Sequence, residues 1–183
     1  MTGINMSSST RRVKLTIIEL VVCAMLGAVM FCGDVLMEAL PNIHLVGVLL
    51  VAYTIVFRVK ALIPLYVYIG LTFLFNGFSV WTWPYAYIWT ILWGTTMLIP
   101  QNIPRWVKYI VYPLNCCLHG LAFGTLYAPV QAFVFHFNFE QTIAWILHGL
   151  LFDAIHASGN LVGGIAIVPV ADFLAKLRKR ARI

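Results

Sequence analysis

Between residues 15 and 175 the only Lys and Arg residues are Arg58, Lys60, Arg105 and Lys108, and long apolar runs separate them. Such runs leave few folds open. A helix needs roughly 20 apolar residues to cross a hydrocarbon core about 30 Å thick, and these runs meet or exceed that length. With 62% of its 183 residues hydrophobic and 10% charged, the chain lacks the polar surface that would clothe a water-soluble domain. It reads as an all-α membrane protein.

Six spans are expected, over residues 15–32, 44–57, 61–78, 84–99, 109–135 and 142–174. The second is short. The last is too long for one straight crossing, and Gly159, Gly163, Gly164 and Pro169 offer places to bend it. In a six-span chain every Lys and Arg falls on one side: Arg11, Arg12 and Lys14 before the first span, Arg58 with Lys60, Arg105 with Lys108, and the tail bearing Lys176, Arg178, Lys179, Arg180 and Arg182. The opposite loops carry Asp34, Glu38, His136, Asn138 and Glu140. Positive loops stay inside, so both ends are expected in the cytoplasm. The organisation is then a cytoplasmic segment (1–14), a six-helix bundle (15–175) and a basic tail (176–183), with no internal repeat and no soluble domain.

The net charge of +6 raises nucleic acid as a partner, but the cations sit at span ends, where they meet lipid headgroups. Cys23, Cys32, Cys116 and Cys117 have no CxxC spacing and fall in apolar segments, as buried free thiols do. The polar lead and first apolar stretch mimic a signal peptide. No Ala-x-Ala-like site precedes Gly33-Asp34, so the stretch is expected to stay as the first span.

Within that span, Ala24-Met25-Leu26-Gly27-Ala28 puts two alanines on one face with Gly27 beside them. Small residues four apart let another helix approach closely, either within the chain or from a partner. Gly120, Gly124 and Ala128, and Gly159 with Gly163, form similar ridges expected to hold the bundle together.

A six-span chain of this size, with that alanine pair in span one and both ends inside, resembles the substrate-binding S components of energy-coupling factor (ECF) vitamin transporters. The stretch Pro41-Asn42-Ile43-His44-Leu45-Val46-Gly47 is also similar to the family. The resemblance implies a multi-pass protein of the bacterial cytoplasmic membrane that is not an enzyme. It implies a vitamin as transported ligand and no catalytic cofactor. Its partners would be a membrane coupling subunit and two cytoplasmic ATPase subunits, docked through Ala24, Gly27 and Ala28. The chain has no GxxxxGK[ST] phosphate loop, so ATP hydrolysis must come from such a partner.

Candidate binding residues lie on the outer side. Trp81, Trp83, Tyr85, Tyr87 and Trp89 cluster there, flanked by Asn76 and Trp93. Helical spacing aligns Tyr85, Trp89 and Trp93. They form either a stacking wall for a flat ring, at roughly 0.5–1.5 kcal/mol per contact, or part of an interfacial belt. Gln141, Trp145 and His148, with Glu140, can supply directional contacts in an apolar pocket, although Glu140 also suits a helix start electrostatically. Asn42 and His44, with Asp34 and Glu38, are lid candidates from the first outer loop.

Deeper, Asp153, His156 and Asn160 share one helix face, and Asn115 and His119 another. Polar groups at such depth face partners or water. They form a clamp between the last two spans, the floor of the cavity, or a proton relay or metal site. Glu19 is expected to pair with Lys14 or a cytoplasmic-loop base.

With no outward Lys or Arg to meet a carboxylate, the ligand is expected to be neutral or cationic: cobalamin, riboflavin, a pyridoxine-like ring or thiamine. Two other classes stay open. A small ion-coupled carrier lacks an evident repeat or mid-membrane charge pair. An intramembrane enzyme using Asp153, His156 and His119 lacks a GxSG or HExxH motif.

Overall fold

The computed structural model describes residues 15–40 and 43–181. The candidate Asn42 and the basic residues Arg11, Arg12, Lys14 and Arg182 lie outside the described residues. Among those described, every regular element is a helix: α1 (Ile17–Leu36), α2 (Val46–Phe57), α3 (Leu62–Asn76), α4 (Tyr85–Leu98), α5 (Arg105–Leu121), α6 (Phe123–Phe135), α7 (Phe139–Gly163) and α8 (Ile167–Ala181).

Local chemistry sets several of these boundaries. Thr16 and Glu19 close a reciprocal cap at the start of α1, and Asn138 and Gln141 do the same for α7. Proline, with φ preset and no amide hydrogen to lose, precedes α4 as Pro84 and α5 as Pro104. At Arg58 the backbone swings to φ 54° and ψ −120°, a conformation costly for a side-chain-bearing residue, and the 3-10 turn Arg58–Ala61 carries the chain into α3. A second 3-10 turn, Gly164–Ala166, separates α7 from α8 inside the expected bend region.

Four helical segments are long and apolar enough to cross a membrane: Ile17–Leu36, Val46–Asn76, Arg105–Phe135 and Phe139–Ala181. They mark the chain as a multi-pass membrane protein. Apolar side chains cover much of its outside, as on α1, where Ile17, Ile18, Val21, Met25 and Val29 all face outward. The exception is α2, apolar on every side and buried along almost its whole length. It is the central post, packed against α4 and α8, while α1 lies chiefly on α3.

The pair α5–α6 runs antiparallel to α7–α8 over their full length. Arg105 pairs with Asp172 at 2.6 Å, Pro113 lies against Gly164, Gly120 against Ala157, and the Gly124 amide donates to Asp153 at 2.9 Å. A Cβ on Gly164 would come within 2.7 Å of Pro113, and one on Gly120 within 2.8 Å of the Asn160 amide, so this seam closes only around glycine. Gly159 against Ile43 and Gly163 against Val48 seat α7 on the α2 entrance in the same way. The expected structural role of these ridges holds.

The deep polar residues clamp more than one pair of helices. Asp153 and Asn160 tie α7 to α6 and α5, Asn160 donating to the Cys116 carbonyl at 3.1 Å. Asn115 and His119 instead turn to α4, meeting the Thr96 hydroxyl at 3.0 Å and the Ile88 carbonyl at 2.9 Å. Their spacing places them on one face, but that face belongs to a different neighbour than expected. The fifth expected span is also broken, at Ala122 between α5 and α6, while Pro113 and Pro129 sit inside the helices on either side.

The basic residues gather at one end of the bundle. Lys60 pairs with Glu19 at the start of α1, which answers the expectation of a loop base for that carboxylate. Arg58 donates to the Met97 carbonyl at the end of α4 at 2.9 Å, and Arg178 to the Val56 carbonyl at the end of α2 at 2.7 Å. The end of α1, the entrance to α2 and the starts of α4 and α7 lie at the other ends of their helices.

Candidate functional site

At that other end, α4, α6 and α7 enclose a cleft of about 330 Å³. Trp81, Tyr85, Phe123, Tyr127, Trp145 and Phe152 supply its walls, and Gly124, Gly149 and Asp153 complete the lining. The segment before α4 and the first turn of α4 are both tied to α6 beside the cleft. The Tyr127 hydroxyl donates to the Trp81 carbonyl, and the Tyr87 hydroxyl donates to the Leu126 carbonyl at 2.6 Å. Thr82 folds that segment into a tight turn through its hydroxyl, which donates to the Gly77 carbonyl at 2.9 Å.

The aromatic rings form a continuous sheath. Trp145 stacks on Tyr127 with centroids 6.4 Å apart and planes 21° apart. Phe123 touches Tyr127 at 5.7 Å and Tyr85 at 6.4 Å. Aromatic pairs at such separations are each worth about 0.5–1.5 kcal/mol beyond area burial, so the walls are preformed rather than dependent on a ligand.

Asp153 is only 5% exposed. Its Oδ1 accepts the Gly124 amide, while Oδ2 has no hydrogen-bond partner. The lining holds no Lys, Arg or His. A smaller acidic pocket of about 220 Å³ adjoins through the shared Tyr85, lined also by Asp34, Val35, Glu38 and Asn76. Asp34 accepts the Tyr68 hydroxyl there at 2.9 Å.

Behind Phe123 sits a second constellation. His44 packs edge-on against His156 at 4.5 Å and against Trp89 at 5.3 Å, and Phe123 meets His156 at 4.7 Å. Trp89 in turn lies 5.5 Å from His119. His44 Nδ1, His119 Nδ1, His156 Nε2 and Trp89 Nε1 have no partners. No hydrogen bond joins Asp153 to His156, and no three His, Cys, Asp or Glu side chains among the described residues are placed to hold a metal ion.

Set against family models, curated proteins and solved structures, the chain matches none. Its site must therefore be judged on its own geometry.

That geometry divides the expected binding residues. Tyr85 and Trp145 line the aromatic cleft, and Asn76 lines the adjoining pocket. Trp89 and His44 lie one layer deeper, with Trp89 only 1% exposed. Trp93 is elsewhere: its indole donates to the Arg58 carbonyl at 3.1 Å, at the basic end. Trp83 is partly exposed beside Phe78, which suits an anchoring role. Gln141 is committed to capping α7, and His148 meets the Ala144 carbonyl of its own helix at 2.7 Å.

Sequence reasoning left Phe123, Tyr127 and Phe152 out of the binding set and held Asp153 only as one of three alternatives, part of the cavity floor. The Gly124 spacing pointed to a close helix approach, and that approach is what seats Asp153 at the cleft. On α1, Ala24 is exposed and Ala28 half-buried beside a shallow groove, whereas Gly27 faces α3, where a Cβ would come within 2.6 Å of Val67. Of the expected docking trio, only the alanines face outward.

Proposed function

We propose that this chain is the substrate-binding component of an importer, an S component of the ECF type. On this reading it captures a vitamin-sized flat ring in the cleft between α4, α6 and α7. The observation that carries the proposal is the cleft itself: a preformed aromatic pocket of about 330 Å³ in a multi-pass membrane protein, with one buried carboxylate and no catalytic constellation in its lining. Ligand sites of small molecules have this character, concave and mostly apolar with few polar groups. The volume favours thiamine, a pyridoxine-like ring or a flavin ring over cobalamin, whose corrinoid and appendages need far more room.

Six crossings fit this role. The chain reverses at Arg58–Ala61 inside the Val46–Asn76 segment, and α4 supplies a further short rod. With the basic ends of the rods together, the positive-inside rule puts both termini in the cytoplasm and the cleft on the outside, in the bacterial cytoplasmic membrane. Delivery then needs a membrane coupling subunit and two cytoplasmic ATPases, met by the outward face that carries Ala24 and Ala28. In lipid, packing rather than hydrophobicity drives such docking, and small side chains permit it.

The test is direct. Purified protein in nanodiscs is titrated with thiamine, pyridoxine, riboflavin and biotin, with tryptophan fluorescence as the readout. Saturable quenching by one of the ring compounds is expected, and so is vesicle uptake only when coupling and ATPase subunits are added. Uptake by the protein alone under a proton gradient would assign it to ion-coupled carriers instead.

A further inference from the structure

The cleft contains a chemical imbalance that identifies its ligand more narrowly. Asp153 lies in an apolar, aromatic setting with no cationic side chain in the lining, where an isolated carboxylate is costly. One oxygen is used by the Gly124 amide and the other is unpaired. Gly124 is the residue that makes this placement possible, since a Cβ there would come within 2.5 Å of Oδ2. The cleft lining contributes no basic side chain, and across Tyr85 the adjoining pocket adds Asp34 and Glu38. The region is thus acidic without a protein cation to balance it.

Resting on the importer reading above, we propose that the ligand of this cleft is a flat heteroaromatic cation. Its ring stacks among Tyr85, Tyr127 and Trp145, and its positive charge balances Asp153, whose unpaired oxygen lies buried against Gly124 at the edge of the cleft. A cation over these aromatic faces gains further attraction from their quadrupoles. Anionic ligands are disfavoured by the same two features, a buried carboxylate and a lining without Lys, Arg or His.

Competition binding in nanodiscs tests this, with thiamine as the cationic amino-ring probe, riboflavin as the neutral flat ring, and biotin and pantothenate as the carboxylates. Thiamine is expected to bind at least tenfold tighter than riboflavin, with the carboxylates weakest. Asp153→Asn keeps an oxygen for the Gly124 amide but removes the negative charge. It should weaken thiamine at least tenfold while changing riboflavin less than threefold. Trp145→Ala should weaken both rings together. Tightest binding by riboflavin or a carboxylate would overturn the inference yet leave the importer reading standing, as would an Asp153→Asn protein with unaltered preference. If that variant does not fold, the ranking of the four probes on the unaltered protein decides alone. If none of the four binds, this inference falls, and if pyridoxine does not bind either, the importer reading falls with it.

Discussion

Single residues determine how close the rods of this molecule come, and Gly124 is the sharpest case. Its amide holds Asp153 and its missing side chain leaves room for the carboxylate. Gly124→Ala forces either the carboxylate or the α6 backbone to move, and breaking that hydrogen bond in a buried site costs about 1–3 kcal/mol. Thermal unfolding in detergent should fall by several degrees. Ligand binding should weaken more than the stability loss explains, because Asp153 is displaced as well. Unchanged unfolding and binding would mean that the seam between α6 and α7 is loose. Gly124 was visible in the sequence as part of a small-residue ridge, but its partner was not. Spacing reports that a helix face is small, not which polar group comes to occupy the space.

At the scale of elements, α1 presents one packed face and one outward face, which the importer reading assigns to docking. Gly27 touches Val67 and the Pro64 carbonyl of α3, where a Cβ has no room, while Ala24 is exposed and Ala28 borders an open groove. Overpacking a tight contact costs about 1–3 kcal/mol, so Gly27→Leu should lower stability and disturb binding through α3. Ala24→Leu with Ala28→Leu should leave unfolding and ligand affinity close to the unaltered protein and abolish coupled uptake. If the double alanine variant loses binding as severely as Gly27→Leu, the outward face is not a docking face.

The helices themselves were largely legible. Apolar runs placed most of the rods and the glycine-rich stretch at 159–164 marked the bend, while the capping boxes and the prolines before α4 and α5 fix boundaries that the runs alone leave loose. The aromatic candidates were legible only in part, for a geometric reason. Tyr85, Trp89 and Trp93 share a helix face, but eight residues of helix separate the first from the last by about 12 Å of depth. That distance carries Trp93 out of the cleft and down to Arg58. Periodicity gives azimuth around a helix, while depth has to come from the neighbouring rods. Asn115 and His119 show the complementary failure, in which the shared face was right and the neighbour, α4, was not.

For the whole molecule, the decisive property is the separation of a basic end from an acidic, aromatic one. Glu19 with Lys60, Arg58 with Met97, Arg105 with Asp172 and Arg178 with Val56 join the starts of α1 and α5 to the ends of α2, α4 and α8. A bundle with its cations tied together this way has one orientation compatible with the positive-inside rule. On the importer reading we propose, that orientation turns Asp34, Glu38 and the cleft to the side from which the ligand is taken. Cysteines introduced singly at Gln141 and at Lys108, in a background lacking the exposed Cys32, give a direct reading. A membrane-impermeant maleimide applied to intact cells should label Gln141→Cys and not Lys108→Cys, and opening the cells should make both reactive. Labelling of Lys108→Cys in intact cells would invert the bundle and turn the cleft toward the cytoplasm. An acidic pocket facing that way would suit export or sensing of a cation rather than its capture from outside, so this one measurement decides the direction of the function as well as that of the fold.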